Sequence, residues 1–140
     1  EALHRSPPEL VLIGRRHVRS NNSWLHNSQR LVKGKPRCAL LIHPDDASSR
    51  GIADGAIVRL RSRVGEVEVS AEVSVDVMPG VVCLPHGWGH DRAGIRLAVA
   101  SRHAGVSIND VVDDQRVDAL TGTAVLNGTP VEVLAMAAGP

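Results

Sequence analysis

The chain has no phenylalanine and no tyrosine, and only two tryptophans and two cysteines in 140 residues. Without Phe or Tyr, a core has to be filled by Val, Ile, Leu and Ala, and the many β-branched residues favour sheet. The scarcity makes Trp24 and Trp88 conspicuous, because each needs a job. Cys38 and Cys83 lie inside apolar strand-like runs, and read as buried thiols rather than as a disulfide or a ligand pair. No apolar run approaches the roughly 20 residues that span a bilayer, so no membrane insertion is expected. No signal-peptide pattern is present, and a cytoplasmic location is the expectation. The chain starts at Glu1 rather than Met, which suggests a piece of a longer protein or a processed product. A formal net charge of +1 argues against a nucleic-acid partner.

What is present suits one globular domain: the length allows a real core, and 43% of residues are hydrophobic. Residues 1–9 read as a linker or entry segment and 10–140 as the domain. The charge is uneven. Residues 1–37 carry eight Lys or Arg against two Glu, whereas residues 110–140 carry four Asp and one Glu against one Arg. Two solvated faces would explain this, and so would a basic loop that meets phosphate.

Strand signals fall at Leu10–Gly14, Cys38–Ile42, Ile57–Arg63, Glu66–Val77, Val81–Leu84 and Pro130–Leu134. The clearest alternation runs from Val67 to Val77, apolar on one face and polar on the other, so that the Val stripe reads as core. With Val64-Gly65 as the turn, Ile57–Val77 reads as a hairpin. Asn22 or Ser23 can cap a helix over 22–32. Pro44 with Asp45 and Asp46 starts a second short helix that Gly51 stops. Residues 85–108 show no clear period, and the acidic stretch 110–118 reads as surface. About six short strands with two short helices suggest a mainly β protein with a closed barrel.

Three separated segments share one chemistry: Arg15–Trp24, His43–Ala47 and Pro85–His90. Their layout between strands suits loops that converge on one large polar anion. Arg15, Arg16 and Arg19 can pair with pyrophosphate, or be solvated. Asn21, Asn22, Ser23 and Asn27 supply the mixed donors and acceptors that the edge of a polar ring or sugar needs, or else cap turns. Trp24 can stack on a ring or seal the barrel. Asp45 or Asp46 can accept two hydrogen bonds from guanine, and otherwise both complement the helix dipole. His43 can cap that helix or touch the ligand. His86, Gly87, Trp88 and Gly89 give backbone freedom and amides that can form an anion nest. His86 and His90 lack the Glu of a helical zinc motif, so no metal site is expected. His4, His26 and His103 read as surface residues, and Asp118 as a turn former. No nucleophile–base pair is evident, so the chain alone is not expected to be catalytic.

The ordered set Leu12-Ile-Gly-Arg15, Asn21-Asn-Ser-Trp24, Asn27, Ile42-His-Pro-Asp-Asp-Ala47, Gly51-Ile-Ala-Asp-Gly55, Gly65, Met78-Pro-Gly-Val81, His86-Gly-Trp-Gly89, Asn109 and Asp118 closely resembles a known pattern. It resembles the C-terminal molybdopterin-dinucleotide-binding domain of the dimethyl-sulfoxide-reductase family of molybdenum and tungsten oxidoreductases, over roughly residues 10–136. The family includes formate dehydrogenases and nitrate reductases. The resemblance implies a double-psi β-barrel. It implies a bis(molybdopterin guanine dinucleotide) cofactor with Mo or W, clamped against the remaining domains or a large subunit. Asn109 matches an Asn that the family places near the pterin, and Asp46 matches the family's Asp-Ala pair. On that basis Asp46→Ala should lower cofactor retention while the barrel still folds. The alternative is a double-psi barrel that only mediates protein contacts, for which the polar loops would have no use.

Overall fold

A computed structural model describes residues 10–136; the expected entry segment 1–9, with His4, lies outside them. Six strands form: β1 (Leu10–Arg15), β2 (Ala39–Ile42), β3 (Ile57–Arg61), β4 (Glu66–Val73), β5 (Val81–Pro85) and β6 (Thr129–Ala135). They close into a barrel in the order β1-β5-β2-β4-β3-β6. Two pairs are parallel, β1 with β5 and β2 with β4, and the other four are antiparallel. This is the mainly β, six-stranded double-psi barrel that the sequence implied. Closure leaves no strand edge open to a stray partner.

The barrel interior follows from strand alternation. Leu10 and Leu12, Leu40 and Ile42, Val58 and Leu60, Val69 and Ala71, Val82 and Leu84, and Val131 and Val133 are all buried in one cluster. Ala47 and Ile52 extend it at one end of the barrel, and Ile108 and Val111 at the other. Branched aliphatics thus fill the space that aromatic rings occupy in other cores, each worth about 1.5–3 kcal/mol when fully buried.

Strand directions give the barrel two distinct ends. The ends of β1, β3 and β5 meet the beginnings of β2, β4 and β6 at one end, hereafter the loop end. The opposite end carries α2 (Pro44–Ser49), which follows α1 (Gln29–Val32) in the chain. His43 caps α2 by accepting the Asp45 amide at 3.2 Å, and Gly51 ends it at φ 64°. The β3–β4 hairpin is as expected, with Arg61 opposite Glu66 and the Ser62 amide bonded to the Gly65 carbonyl.

Four expectations need correction. The first helix spans only Gln29–Val32 with Ser28 before it. Asn21 and Asn22 have φ of 42° and 62°, so the chain folds there through left-handed turns that a helix cannot contain. β4 stops at Val73, where the chain turns; Val75 is 78% exposed although Val77 is buried. The acidic stretch is not all surface: Val111 joins the core, and buried Asp113 accepts two bonds of 2.7 Å from Arg63. That fork holds the Asp113 carboxyl below its ordinary pKa. Finally, His26 is fully buried rather than on the surface, whereas His103 is exposed.

Candidate functional site

The loop end gathers most of the expected residues. Arg15 ends β1, and its guanidinium crosses to the Cys83 carbonyl (2.7 Å) and the Ala39 carbonyl (2.9 Å), tying three strands together. Arg16 follows, exposed and with no hydrogen-bond or ion-pair partner among the described residues. The Arg16 charge acts on His86, whose imidazole is held below its ordinary pKa by burial first and by Arg16 second. The His86 ring lies over Gly14, where an added Cβ would come within 2.0 Å of Nε2.

Behind Arg16 the chain coils through residues 17–27 and lays its backbone on the Gly87 turn. A Cβ at Gly87 would meet the Asn22 carbonyl oxygen at 2.2 Å, and Gly87 itself has φ 87°. Asn21, Asn22 and Ser23 are therefore fixed beside His86 and Gly87, with both asparagines exposed. Asn27 is engaged structurally: its side-chain oxygen accepts the Val99 and Ala100 amides at 3.0 and 3.2 Å, at the start of the 3-10 turn Ala100–His103. Asn109 is exposed in the 3-10 turn Ile108–Asp110, at the same end.

The two tryptophans have opposite fates. Trp24 is 83% exposed and does not seal the barrel, while Trp88 is buried and stacks on His26 with ring centroids 3.9 Å apart. Two amides of the nest expected at His86–Gly89 are taken up within the fold. The His86 amide donates to the Arg15 carbonyl, and the Gly89 and His90 amides both donate to Ala104.

Between the coil and the start of β2 lies a cleft of ≈ 270 Å³ whose lining includes Arg15, His17, Ser20, Lys35, Arg37 and Trp88 together with the carboxylates Glu72 and Asp76, of which Glu72 pairs with Lys35 at 2.8 Å. On sequence alone, His17 and Ser20, inside the Arg15–Trp24 segment, have no role of their own, and Lys35 and Arg37 count only towards the basic charge before β2. Partial burial first, then the charges of Arg37, Arg19 and Arg15, lower the His17 pKa. Ser20 is 2% exposed, and its Oγ has no partner. The Arg37 Nε is likewise buried without a partner, although Nη2 of the same group donates to Leu31 at 2.8 Å. Orphaned buried polar atoms are uncommon and cost about 1–3 kcal/mol each, so a cleft that keeps them fits a ligand that satisfies them. A larger cleft of ≈ 700 Å³ runs along β6 beside Arg61 and Arg63 and holds none of the expected residues.

The His43–Ala47 segment does not join this site. β2 separates it from the loop end, and its four residues span about 13 Å. Asp45, His43 and Asp46 all sit at the α2 end. Asp46 is tied into the fold there: Oδ2 accepts the Gly80 amide at 2.7 Å, and Oδ1 lies 3.6 Å from Arg50. The Asp45 side chain is 83% exposed. Asp46→Ala is therefore expected to lower stability by about 1–3 kcal/mol. Asp45→Ala should stay within about 0.5 kcal/mol of the parent in urea unfolding. Equal effects would show that the Asp46–Gly80 bond does not form.

Neither thiol is poised for chemistry. Cys38 accepts the Val106 amide at 3.3 Å, and burial pushes its pKa up; Cys83 is buried within β5. Among the described residues no group of three His, Cys, Asp or Glu is placed to hold a metal. No described helix is long and apolar enough to cross a membrane.

Comparison with known proteins places this arrangement in context. A family model described as molydopterin dinucleotide binding domain matches residues 10–130. Biotin sulfoxide reductase of Cereibacter sphaeroides is 41% identical over 81 residues, covering 56% of this chain and 11% of that protein. Dimethyl sulfoxide/trimethylamine N-oxide reductase of Rhodobacter capsulatus is 36% identical over 81 residues, covering 58% of this chain and 10% of that protein. The solved structure of acetylene hydratase from Pelobacter acetylenicus superposes with a TM-score of 0.75 at 22% identity, covering 91% of this chain and 18% of that one. The chain thus spans about a tenth of the length of the curated relatives it matches.

Proposed function

The chain belongs to the molydopterin dinucleotide binding domain family, and we propose that it holds a molybdopterin guanine dinucleotide at the loop end of its barrel, as one domain of a larger molybdenum or tungsten oxidoreductase. The observation that carries this reading is the cleft beside Arg15 and Arg37 in which buried Ser20 Oγ and Arg37 Nε lack partners. A polyanion with many acceptor oxygens meets both needs at once. Arg16 and His17 are the groups available to a pyrophosphate, and Asn21, Asn22, Ser23 and His86 to the hydrogen-bonding edges of the pterin. The bound group would supply the redox-active metal; these residues only bind it, orient it and keep water from its buried side. Asp45 and Asp46 lie at the other end of the barrel and are left out of this site. A bis form of the cofactor, as in formate dehydrogenases or nitrate reductases, would need the same face to meet a second pterin held elsewhere.

The remaining domains of the enzyme are the partner in this reading. Val18 and Trp24 are 89% and 83% exposed beside the site, which is apolar surface for those domains to cover. The reading is tested on the native protein that contains this chain, by measuring molybdenum, tungsten and acid-released guanine nucleotide. Arg16→Glu should cut all of these by roughly tenfold or more, the effect of losing one charge-assisted contact. Its unfolding midpoint should not move, because Arg16 supports nothing in the fold. A wild-type protein free of metal and guanine, yet tightly bound to a protein partner, would favour the contact-module alternative.

A further inference from the structure

Directly beneath the loops that face the cleft lies a buried cluster of three rings. His26 is fully buried, with Trp88 stacked on one side at an interplanar angle of 30° and His90 edge-on at 83°. The His26 Nδ1 and His90 Nε2 are 2.7 Å apart. Two neutral imidazoles form such a bond only if one nitrogen carries a proton and the other a lone pair. His26 Nε2 is buried without a partner. A buried orphan is more tolerable as a bare acceptor than as an N–H donor, so the His26 proton belongs on Nδ1 and His90 Nε2 accepts it.

The two rings stand at the roots of the two site loops. His26 closes the coil that carries Asn21–Trp24, its amide donating to the Ser23 carbonyl at 3.1 Å. His90 follows His86–Gly89, and its amide is anchored on Ala104. Among the described residues no other side chain–side chain hydrogen bond joins these loops. On the reading of the loop end as a ligand face, we propose that His26 and His90 are positioning residues. Their mutual buried bond, covered by Trp88, sets the separation of the Asn21–Ser23 backbone from the Gly87 turn and so the shape of the face, without touching the ligand. Arg37 faces His26 and Asp91 faces His90 as the nearest charges outside the pair.

The test begins with histidine-labelled chain near neutral pH, where nitrogen spectra should show both rings neutral and His26 protonated at Nδ1. Amide exchange is then compared in the wild type, His90→Gln and His90→Leu. A glutamine amide oxygen can replace Nε2 as an acceptor, whereas leucine fills space and cannot bond. In His90→Leu, amides of residues 20–27 and 86–90 should exchange roughly tenfold faster or more, the size expected for one lost buried bond. His90→Gln should exchange as the wild type does, and β2 and β5 should be unchanged in both variants. Equal loop exchange in all three proteins overturns the proposal, as does a glutamine variant as fast as the leucine one, because packing alone would then be at work. In the native protein His90→Leu should also lose molybdenum or tungsten, and His90→Gln should keep it. Equal metal in both, in a loaded wild type, would sink the positioning role and leave the cofactor reading intact. A wild type without metal would sink the cofactor reading, while loop exchange still decides whether the pair sets the loops.

Discussion

Gly87→Ala is expected to lower the stability of the chain by about 3 kcal/mol or more and to abolish cofactor retention. Two costs add. Alanine at φ 87° sits in a region that L-residues avoid, at about 1–2 kcal/mol. Its methyl group would also lie 2.2 Å from the Asn22 carbonyl oxygen and 2.9 Å from the Ser23 amide nitrogen. Both are backbone atoms, so no side-chain rotation relieves the overlap, and forcing a methyl into packed structure costs about 1–3 kcal/mol. The coil has to lift off the turn, which opens the face that carries Asn21–Ser23 and His86. Gly14→Ala is the informative contrast: its methyl meets only the tip of the His86 ring, which can swing aside. That variant should lose roughly 1 kcal/mol or less and still displace His86. Urea unfolding of the two variants ranks them. A Gly87→Ala protein as stable as the wild type would mean that the two loops are not in contact.

The barrel was legible because strand alternation is a direct consequence of having one face buried. Ile57–Arg61 and Glu66–Ser70 pair register for register as the pattern implied. The same pattern overran into Val75 because alternation records side-chain chemistry and not hydrogen bonding. Past Val73 the Ser74 hydroxyl accepts the Asp76 amide at 3.1 Å and the chain turns, leaving Val75 in solvent. The helix expected at 22–32 failed for a related reason. Asn is a good cap, but it is also the residue other than glycine that best tolerates positive φ, and two in a row carried that signal.

The site was legible in its residue types and only partly in its geometry. A loop before a strand and a loop after it emerge at opposite barrel ends. The coil 16–27 precedes β2 and the His43–Ala47 segment follows it, so strand counting alone would have separated them. What no count could supply is the depth of His26. The residues around it are polar, and it becomes core only because Trp88 and His90, more than sixty positions away, close over it. In a chain without Phe or Tyr, these three rings form an aromatic cluster under the loops, outside the aliphatic barrel core.

That cluster makes stability fall in a pH range where most proteins are indifferent. The His26 pKa is pushed down to about 4, by burial first and by His90 second, with a Gly87 backbone hydrogen bond opposing and Arg37 adding to the shift. Burial also lowers His90, and it leads the shifts of His86 and His17. A histidine whose folded pKa is depressed is neutral in the fold while the unfolded chain already binds a proton. Stability is therefore full above about pH 6.5 and is lost as pH falls from there, and the loss levels off near pH 4, where folded His26 protonates as well. A shift of this size is worth roughly 3 kcal/mol from His26 alone. The carboxylates act lower: Asp113, held by Arg63, and Asp118, bonded to Thr121 and Leu120, have depressed pKa values, and their contributions are lost below the histidine window. Urea unfolding at several pH values between 7.5 and 4 should thus slope steeply in the wild type. In His26→Asn, whose amide can keep the bond to His90 without titrating, most of that slope should vanish. A flat wild-type profile, or an equal slope in the variant, would show that the fold does not depress the His26 pKa.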